Sequence, residues 1–396
     1  MNQIKKFIRN RCKDCLLDII FPGIYNIHRK KPVDKKKVVF IEPRLPELSN
    51  SFQVLYHELA DHYDFDIHVH LLRETFVSTG EYIKNCKKML EDLSDARYCF
   101  LNEASSVVSC INKRPETIIT QLWHACGAFK KFGMSTVGLT FGADEEQMKR
   151  HPFYKNLDYV TVSSPEVVWA YAEAMDLQGR KDIIRPVGIS RTDVYFREET
   201  VQNAFEHVYQ KFPAARGKKI ILYAPTFRGK AGNAQAPDQF DLKKFYEAFH
   251  KDYTLIIKHH PVVRNRPEIP EDLRGTFVFD ASDTLSIEDL LCVSDICISD
   301  YSSLIFEFSL FERPMIFYAY DLEEYFDWRG FYYPYEEMTP GPVCKTNEEM
   351  IDYIQHIHQR FDKQKVVDFK NKFMSACDGH ATERILNMMG TGPSTL

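Results

Sequence analysis

The chain has no run approaching the roughly 18 consecutive apolar residues that a bilayer-spanning helix needs, which excludes an ordinary spanning helix. Its basic N-terminus leads only into a short apolar piece, Leu16 to Tyr25, interrupted by Asp18 and Pro22. With no small-residue cleavage site there, a secretory signal peptide is not expected. No G-x-G-x-x-G follows the first β-branched run at Val38 to Ile41, which argues against a dinucleotide-dependent dehydrogenase. The ten cysteines are scattered, and Cys12 and Cys15 form a lone C-x-x-C with no second pair or nearby histidine. They read as one helix face, so no structural metal is expected, and without an export signal the thiols should be reduced. There is no short internal repeat and no low-complexity tract, so nothing points to a repeat array.

What is present fits an ordinary soluble protein. A length of 396 residues accommodates two domains, and 44% apolar with 27% charged residues is a globular composition. The net charge of −5 hides an asymmetry, because eleven Lys/Arg against three acids give residues 1–37 a charge of +8 and leave −13 on the rest. A basic arm on an acidic body suits an anionic membrane face, and argues against a nucleic-acid binder, whose positive charge would cover the folded domains. Ile4, Phe7, Ile8, Cys12, Cys15 and Ile19 share one helical face with Lys and Arg between them, as in an interfacial amphipathic helix. A peripheral location at the cytoplasmic face of the cell membrane is expected.

Strand and helix patterns alternate along the chain. Strands are expected at 38–41, 66–72, 97–101, 117–122 and 159–163, and helices at 52–62 (with Ser49 as cap) and 82–93. The chain turns near Pro186-Val187-Gly188, and a second alternation begins with strands at 219–223, 254–258 and 276–279. Residues 229–240 (GKAGNAQAPDQF) are the most loop-like and read as a lid. The segment Asp295 to Tyr318 packs a strand, a polar knot (Asp300-Tyr301-Ser302-Ser303), a helix and another strand into one βαβ unit. Gly390 to Leu396 looks frayed. The fold class is therefore α/β with two Rossmann-like domains. The expected division is a basic arm at 1–37, an N-terminal domain at 38–195 and a C-terminal domain at 196–396.

Four clusters fall just after expected strands, where α/β proteins build sites. Trp123-His124 runs through Gly127 to Lys130 and Lys131, offering a base and a cationic anchor. Thr226-Phe227-Arg228 offers a guanidinium that can fork onto phosphate. In Lys258-His259-His260-Pro261, with Arg264 following, Pro261 holds His260 out of helical geometry. Asp300, Ser302 and Ser303, with Glu307 one turn on, place two hydroxyls and the free N–H groups of a helix start at a strand end, a place for phosphate. Each cluster has a plainer reading: a half-buried histidine, solvated surface cations, or serines that only cap a helix.

Taken in order and spacing, LWHACGAFKKFG, ILYAPTFRG, IIKHHPVV and SDYSSLIFEFSLFERPMIFYAYDLEEY resemble the CDP-glycerol glycerophosphotransferase family of cell-wall polymer synthesis, over roughly residues 115–375. The resemblance implies a GT-B fold, its two domains facing across a cleft, with the donor nucleotide held mainly by the C-terminal one. It implies transfer of polyol phosphate from CDP-glycerol to a hydroxyl of a lipid-linked acceptor, releasing CMP, in teichoic acid or related polymer synthesis. Carried over, His124 matches the family's general base and His260 the essential histidine near the donor phosphates. Ser302 and Ser303 match its phosphate-binding hydroxyls, with Asp300 and Glu307 flanking them, and Arg228 and Arg264 are weaker matches. Ala125-Cys126-Gly127-Ala128 stands where many glycerol-type members have Gly-Thr-Pro, which leaves CDP-ribitol open as donor. No cofactor is called for, and Mg²⁺ escorting the diphosphate stays open. The rivals are a GT-B glycosyltransferase using a nucleotide sugar and a non-catalytic membrane scaffold.

Overall fold

The structure is a computed structural model that describes residues 3–139, 142, 144–229 and 233–390. Its β-branched runs form two parallel sheets of six strands, ordered β2-β1-β3-β4-β5-β6 and β12-β11-β10-β7-β8-β9. The first holds β1 (Asp34–Glu42), β2 (Asp66–Leu71), β3 (Ala96–Leu101), β4 (Ile118–Gln121), β5 (Tyr159–Thr161) and β6 (Ile184–Arg185). The second holds β7 (Lys219–Tyr223), β8 (Tyr253–Ile257), β9 (Val278–Asp280), β10 (Ile296–Ser299), β11 (Met315–Tyr318) and β12 (Val343–Cys344). Strands such as β10 and β11 are buried along their whole length, as a sheet covered on both faces requires. The chain winds outward from β1 and again from β7, then reverses direction between β1 and β3, and between β7 and β10. Loops at the carboxyl ends of the strands flanking a reversal part there and leave a crevice.

The chain divides into two compact units, one of Met1–Ala125, Phe132–Asp193 and Ala376–Leu396, the other of Cys126–Lys131 and Val194–Ser375. The main division thus falls within two residues of the expected 195/196 boundary, but two segments belong to the unit that a single cut would deny them. Helix Ala381–Met389 lays Ile385, Leu386 and Met389 into the core built on Val38, Phe40 and Leu122 of the first unit. Tyr98 Oη donates to the Met389 carbonyl at 2.7 Å. The start of this helix is tied down by buried Asp193, which accepts from the Ala381 and Thr382 amides at 3.0 and 2.7 Å and from the Thr382 hydroxyl at 2.6 Å.

The basic N-terminal stretch is a docked helix rather than a loose arm. Helix Gln3–Cys15 passes through a π-helical turn (Leu16–Ile20) into helix Phe21–His28. Leu17, Phe21 and Tyr25 are buried, and Asp14 pairs with His151 at 3.0 Å and Arg150 at 3.2 Å. Phe7, Ile8, Ile19 and Ile27 are exposed. From Asp34 the chain is already β1, where Lys36 pairs with Asp64 and Lys37 with Asp95 at 2.7 Å. No described helix is long and apolar enough to cross a membrane.

Asp193→Ala would strand three buried donors, each costing about 1–3 kcal/mol. The expected result is a loss of about 3–5 kcal/mol in urea unfolding of the first unit. A change below about 1 kcal/mol would show that the clasp contributes little.

Candidate active site

In the second unit the loops after β7, β10 and β11 meet on one guanidinium. Arg228 Nε and Nη2 form a fork onto Asp321 at 2.5 and 2.9 Å. Its Nη1 donates to Asp300 Oδ2 at 2.9 Å and to the Thr226 carbonyl at 2.6 Å. Asp300 is 2% exposed, and its Oδ1 also accepts from the Thr226 and Tyr301 amides at 2.8 and 2.6 Å. Tyr301, Tyr320 and Tyr325 surround the guanidinium with ring centroids 5.2–5.8 Å away, within cation–π range. The Tyr301 hydroxyl donates to Asp321 Oδ1 at 2.9 Å, and its ring stacks on Tyr325 at 4.0 Å. Burial alone would lower the pKa of Arg228, but Asp300 and Asp321 outweigh it and hold the group charged.

Arg228 is therefore a brace, with four N–H donations spent inside the protein, and not the open phosphate fork its loop position suggested. Asp300 is likewise occupied. What the ledge keeps for a ligand are hydroxyls. Thr226 Oγ1 is buried with no hydrogen-bond partner. Ser303 occupies the N-cap position of helix Leu304–Ser309 but makes no cap bond, and Ser302 Oγ only accepts a 3.4 Å contact from the Leu304 amide. That helix has six residues, so hydroxyls and local N–H groups, rather than a long-helix dipole, are what the knot offers.

His260 follows β8, its ring 5.1 Å from Phe227 of the β7 loop. The Val262 amide donates to its Nδ1 at 3.2 Å, so the neutral ring carries its proton on Nε2 and presents it as a donor. Desolvation of the ring and then the charge of Lys130 hold its pKa below the ordinary value of 6.5, although the residue as a whole is exposed. Lys130 Nζ reaches the Tyr325 hydroxyl at 3.5 Å. Gly127 sits at φ +61°, and a Cβ there would meet the Phe306 ring at 2.3 Å. Its role is to let the backbone pass, not to anchor a ligand. Arg264 is exposed, and buried Glu307 accepts from the Tyr195 hydroxyl at 3.4 Å. Beside these groups a cavity of about 30 Å³ is lined by Tyr223, Phe240, His259 and Asp280, at the ends of β7, β8 and β9. Of the loop read as a lid, Lys230 to Gly232 lie outside the described residues; Arg228 and Gln235 pair through backbone bonds of 2.9 and 3.0 Å.

In the first unit His124 follows β4. Its Nδ1 lies 3.0 Å from the Asn102 carbonyl, which can only accept, so Nδ1 carries the proton and Nε2 the lone pair. Glu103 Oε1 lies 3.4 Å from the same Nδ1. Asn102 and Glu103 follow β3 at the reversal of this sheet. Asn102 Nδ2 donates to Glu42 Oε2 and to Ser49 Oγ, both at 2.7 Å, so Ser49 receives Asn102 instead of capping its helix. Trp123, buried at φ +62°, turns the chain sharply before His124 and lies over its ring at 4.3 Å. A bulky residue held there stores about 1–3 kcal/mol of strain, a sign of a position fixed by its surroundings.

Sequence reasoning missed Asp321, Tyr301 and Tyr325 in the knot, and Asn102 with Glu103 beside His124. Asp321, Asn102 and Glu103 all lie just past strand ends, the signal used for the other clusters.

A two-unit α/β architecture of GT-B type, with hydroxyls after β10 and histidines after β8 and β4, is the frame of a transferase of phosphorylated groups. The family model of CDP-Glycerol:Poly(glycerophosphate) glycerophosphotransferases matches residues 23–390, and the chain belongs to this family. It is 36% identical over 368 residues to the teichoic acid ribitol-phosphate primase of Bacillus spizizenii, covering 91% of this chain and 92% of that protein. It is 31% identical to the teichoic acid glycerol-phosphate primase of the same organism, over 85% of this chain and 88% of that one. A solved form of the wall teichoic acid polymerase TagF soaked with CDPG shares the fold, with TM-score 0.76, 21% identity and coverage of 98% and 97% of the two chains.

Removing one partner of a buried ion pair costs about 3–5 kcal/mol. Arg228→Ala and Asp300→Ala should each destabilise the second unit by that amount. The double variant should lose at least about 1 kcal/mol less than the sum. Strict additivity in denaturant titrations would break the proposed coupling.

Proposed function

We propose that the chain transfers a polyol phosphate, with CDP-ribitol as the first candidate donor and CDP-glycerol as the second, to a hydroxyl of a lipid-linked acceptor. The observation that carries the reading is the fixed tautomer of His124, whose Nε2 lone pair is free to act as a base. As the acceptor oxygen bonds to the β-phosphorus, its proton passes to Nε2, and the bond from that phosphorus to the bridging oxygen breaks. CMP leaves with the electron pair. The growing charge is met by the Ser302 and Ser303 hydroxyls, Thr226 Oγ1 and the His260 Nε2–H. Lys130 adds positive charge near His260, Arg264 is a further cation on the β8 loop, and Arg228 with Asp300 keeps the ledge in shape. The hollow lined by Tyr223, Phe240, His259 and Asp280 is assigned to the cytosine nucleoside, because it offers aromatic faces beside polar groups. Ribitol is preferred because the ribitol-phosphate primase matches this chain nearly end to end, and because Ala125-Cys126-Gly127-Ala128 replaces the glycerol-type Gly-Thr-Pro.

The exposed apolar face of the N-terminal helix, flanked by Arg9, Arg11 and Lys13, supports docking at an anionic membrane surface, where the acceptor lipid resides. Each basic residue near such a surface contributes about 1 kcal/mol.

Incubation with CDP-ribitol or CDP-glycerol and a lipid-linked acceptor, scored by CMP release, tests the donor assignment. A rate with CDP-glycerol above that with CDP-ribitol would reverse the order. His124→Gln and His260→Ala should each lower kcat about 10²–10³-fold in natively folded protein, matching the loss of one such interaction. Near-normal turnover by His124→Gln would remove the base from the mechanism. In flotation with anionic vesicles, Phe7→Ser/Ile8→Ser should recover much less protein than wild type; equal recovery would end the docking role.

A further inference from the structure

Away from both strand-end ledges, on the edge strand of the first sheet, three side chains converge on a common point. His68 and His70 lie two residues apart on β2, so their side chains leave the same face of the strand. Asp92 comes from helix Thr79–Leu93, which packs against that strand. His68 Nδ1 lies 3.2 Å and His70 Nε2 3.0 Å from the same oxygen, Asp92 Oδ2. The three atoms all fall within 4.8 Å of one another.

The hydrogen-bond inventory of this cluster is unusual. His68 Nε2 donates to Asp66 Oδ2 at 2.9 Å, which leaves the Nδ1 lone pair of the neutral ring pointing at an acceptor, the Asp92 carboxylate. His70 is 7% exposed, and its Nε2 has no hydrogen-bond partner despite lying 3.0 Å from Asp92 Oδ2. Lys37 approaches Asp92 through the other oxygen, Oδ1, at 3.4 Å, and its closer partner is Asp95 at 2.7 Å. Oδ2 stays directed at the two rings.

We propose that His68 Nδ1, His70 Nε2 and Asp92 Oδ2 bind a divalent transition ion of the zinc class, with solvent completing a four-coordinate shell. Tetrahedral Zn²⁺ with Zn–N of about 2.0–2.1 Å and Zn–O of about 2.0–2.2 Å sets its ligand atoms about 3.3–3.5 Å apart. The 3.0 and 3.2 Å separations need only a small expansion to admit the ion. Asp66 holds His68 as metal-bound histidines are commonly held, through a carboxylate on the far ring nitrogen. The ion would pin the edge strand to the helix behind it. The expectation of no structural metal rested on spacing along the chain, and Asp92 lies too far from the His-x-His pair in sequence for spacing to reveal it.

The test is Zn²⁺ and Co²⁺ titration of the full chain after chelator treatment, followed by calorimetry and by the visible absorption of tetrahedral Co²⁺. One equivalent should bind with a rise in melting temperature, and binding should vanish in His70→Gln but survive Cys12→Ser/Cys15→Ser. Asp66→Asn, which keeps all three ligands, should weaken affinity about 10–100-fold. Absence of uptake, uptake unchanged in His70→Gln, or uptake lost with the two cysteines would each overturn the site. Should His70→Gln fail to fold, Asp66→Asn decides, and an unchanged affinity there rejects the assignment.

Discussion

The ion triad of Arg228 with Asp300 and Asp321 is the constraint on which the second unit's ledge depends. Loops at three different strand ends have no backbone ladder between them, so their relative positions must be fixed by side chains. A buried carboxylate such as Asp300 is tolerable only when its charge is matched and its lone pairs are used. Here one guanidinium and two amides do both, with three tyrosine rings around the guanidinium. The consequence for chemistry follows by subtraction. The acids of the knot are neutralised internally, and what faces a ligand is a set of hydroxyls and a histidine N–H, with Lys130 close to that histidine. Such a surface favours an anion. The diphosphate of the proposed nucleotide donor is such an anion.

The two histidines gain their meaning from what holds the opposite ring nitrogen. His124 gives its Nδ1 proton to a carbonyl and His260 takes a backbone N–H on Nδ1, so the same side chain becomes an acceptor in one unit and a donor in the other. Backbone geometry sets both, which is more robust than a balance of charges that changes with ionic strength. The strained Trp123 and the Pro261 that follows His260 are the local means of setting those geometries.

Much of this was legible in the sequence because parallel strands are continuous apolar runs and their ends are marked by polar residues. The βαβ unit at 295–318, the strands ending at His124 and His260, and the two-unit α/β class could be read directly. The partners of a side chain could not. Arg228 looked like a ligand fork because a sequence shows a loop arginine and not the two carboxylates that meet it from later strands. Gly127 looked like part of an anchor, while the structure shows a backbone that passes under Phe306. Nothing in the sequence pattern showed that Ile385 and Leu386 of the last helix return to the first sheet.

The N-terminal helix shows the same limit from the other side. Its apolar stripe was visible, but a stripe can serve a protein core or a membrane. In the structure the helix divides the two uses by position. Leu17, Phe21 and Tyr25 fasten its second half to the first unit, together with the Asp14 pairs to Arg150 and His151. Phe7 and Ile8 precede those fastenings and remain in contact with solvent. Exposed beside Lys and Arg, Phe7 and Ile8 are the residues that the proposed docking at an anionic bilayer would use, since such a surface matches both the charge and the apolar face. The fastened half would then make attachment of the helix an attachment of the first unit, which carries His124.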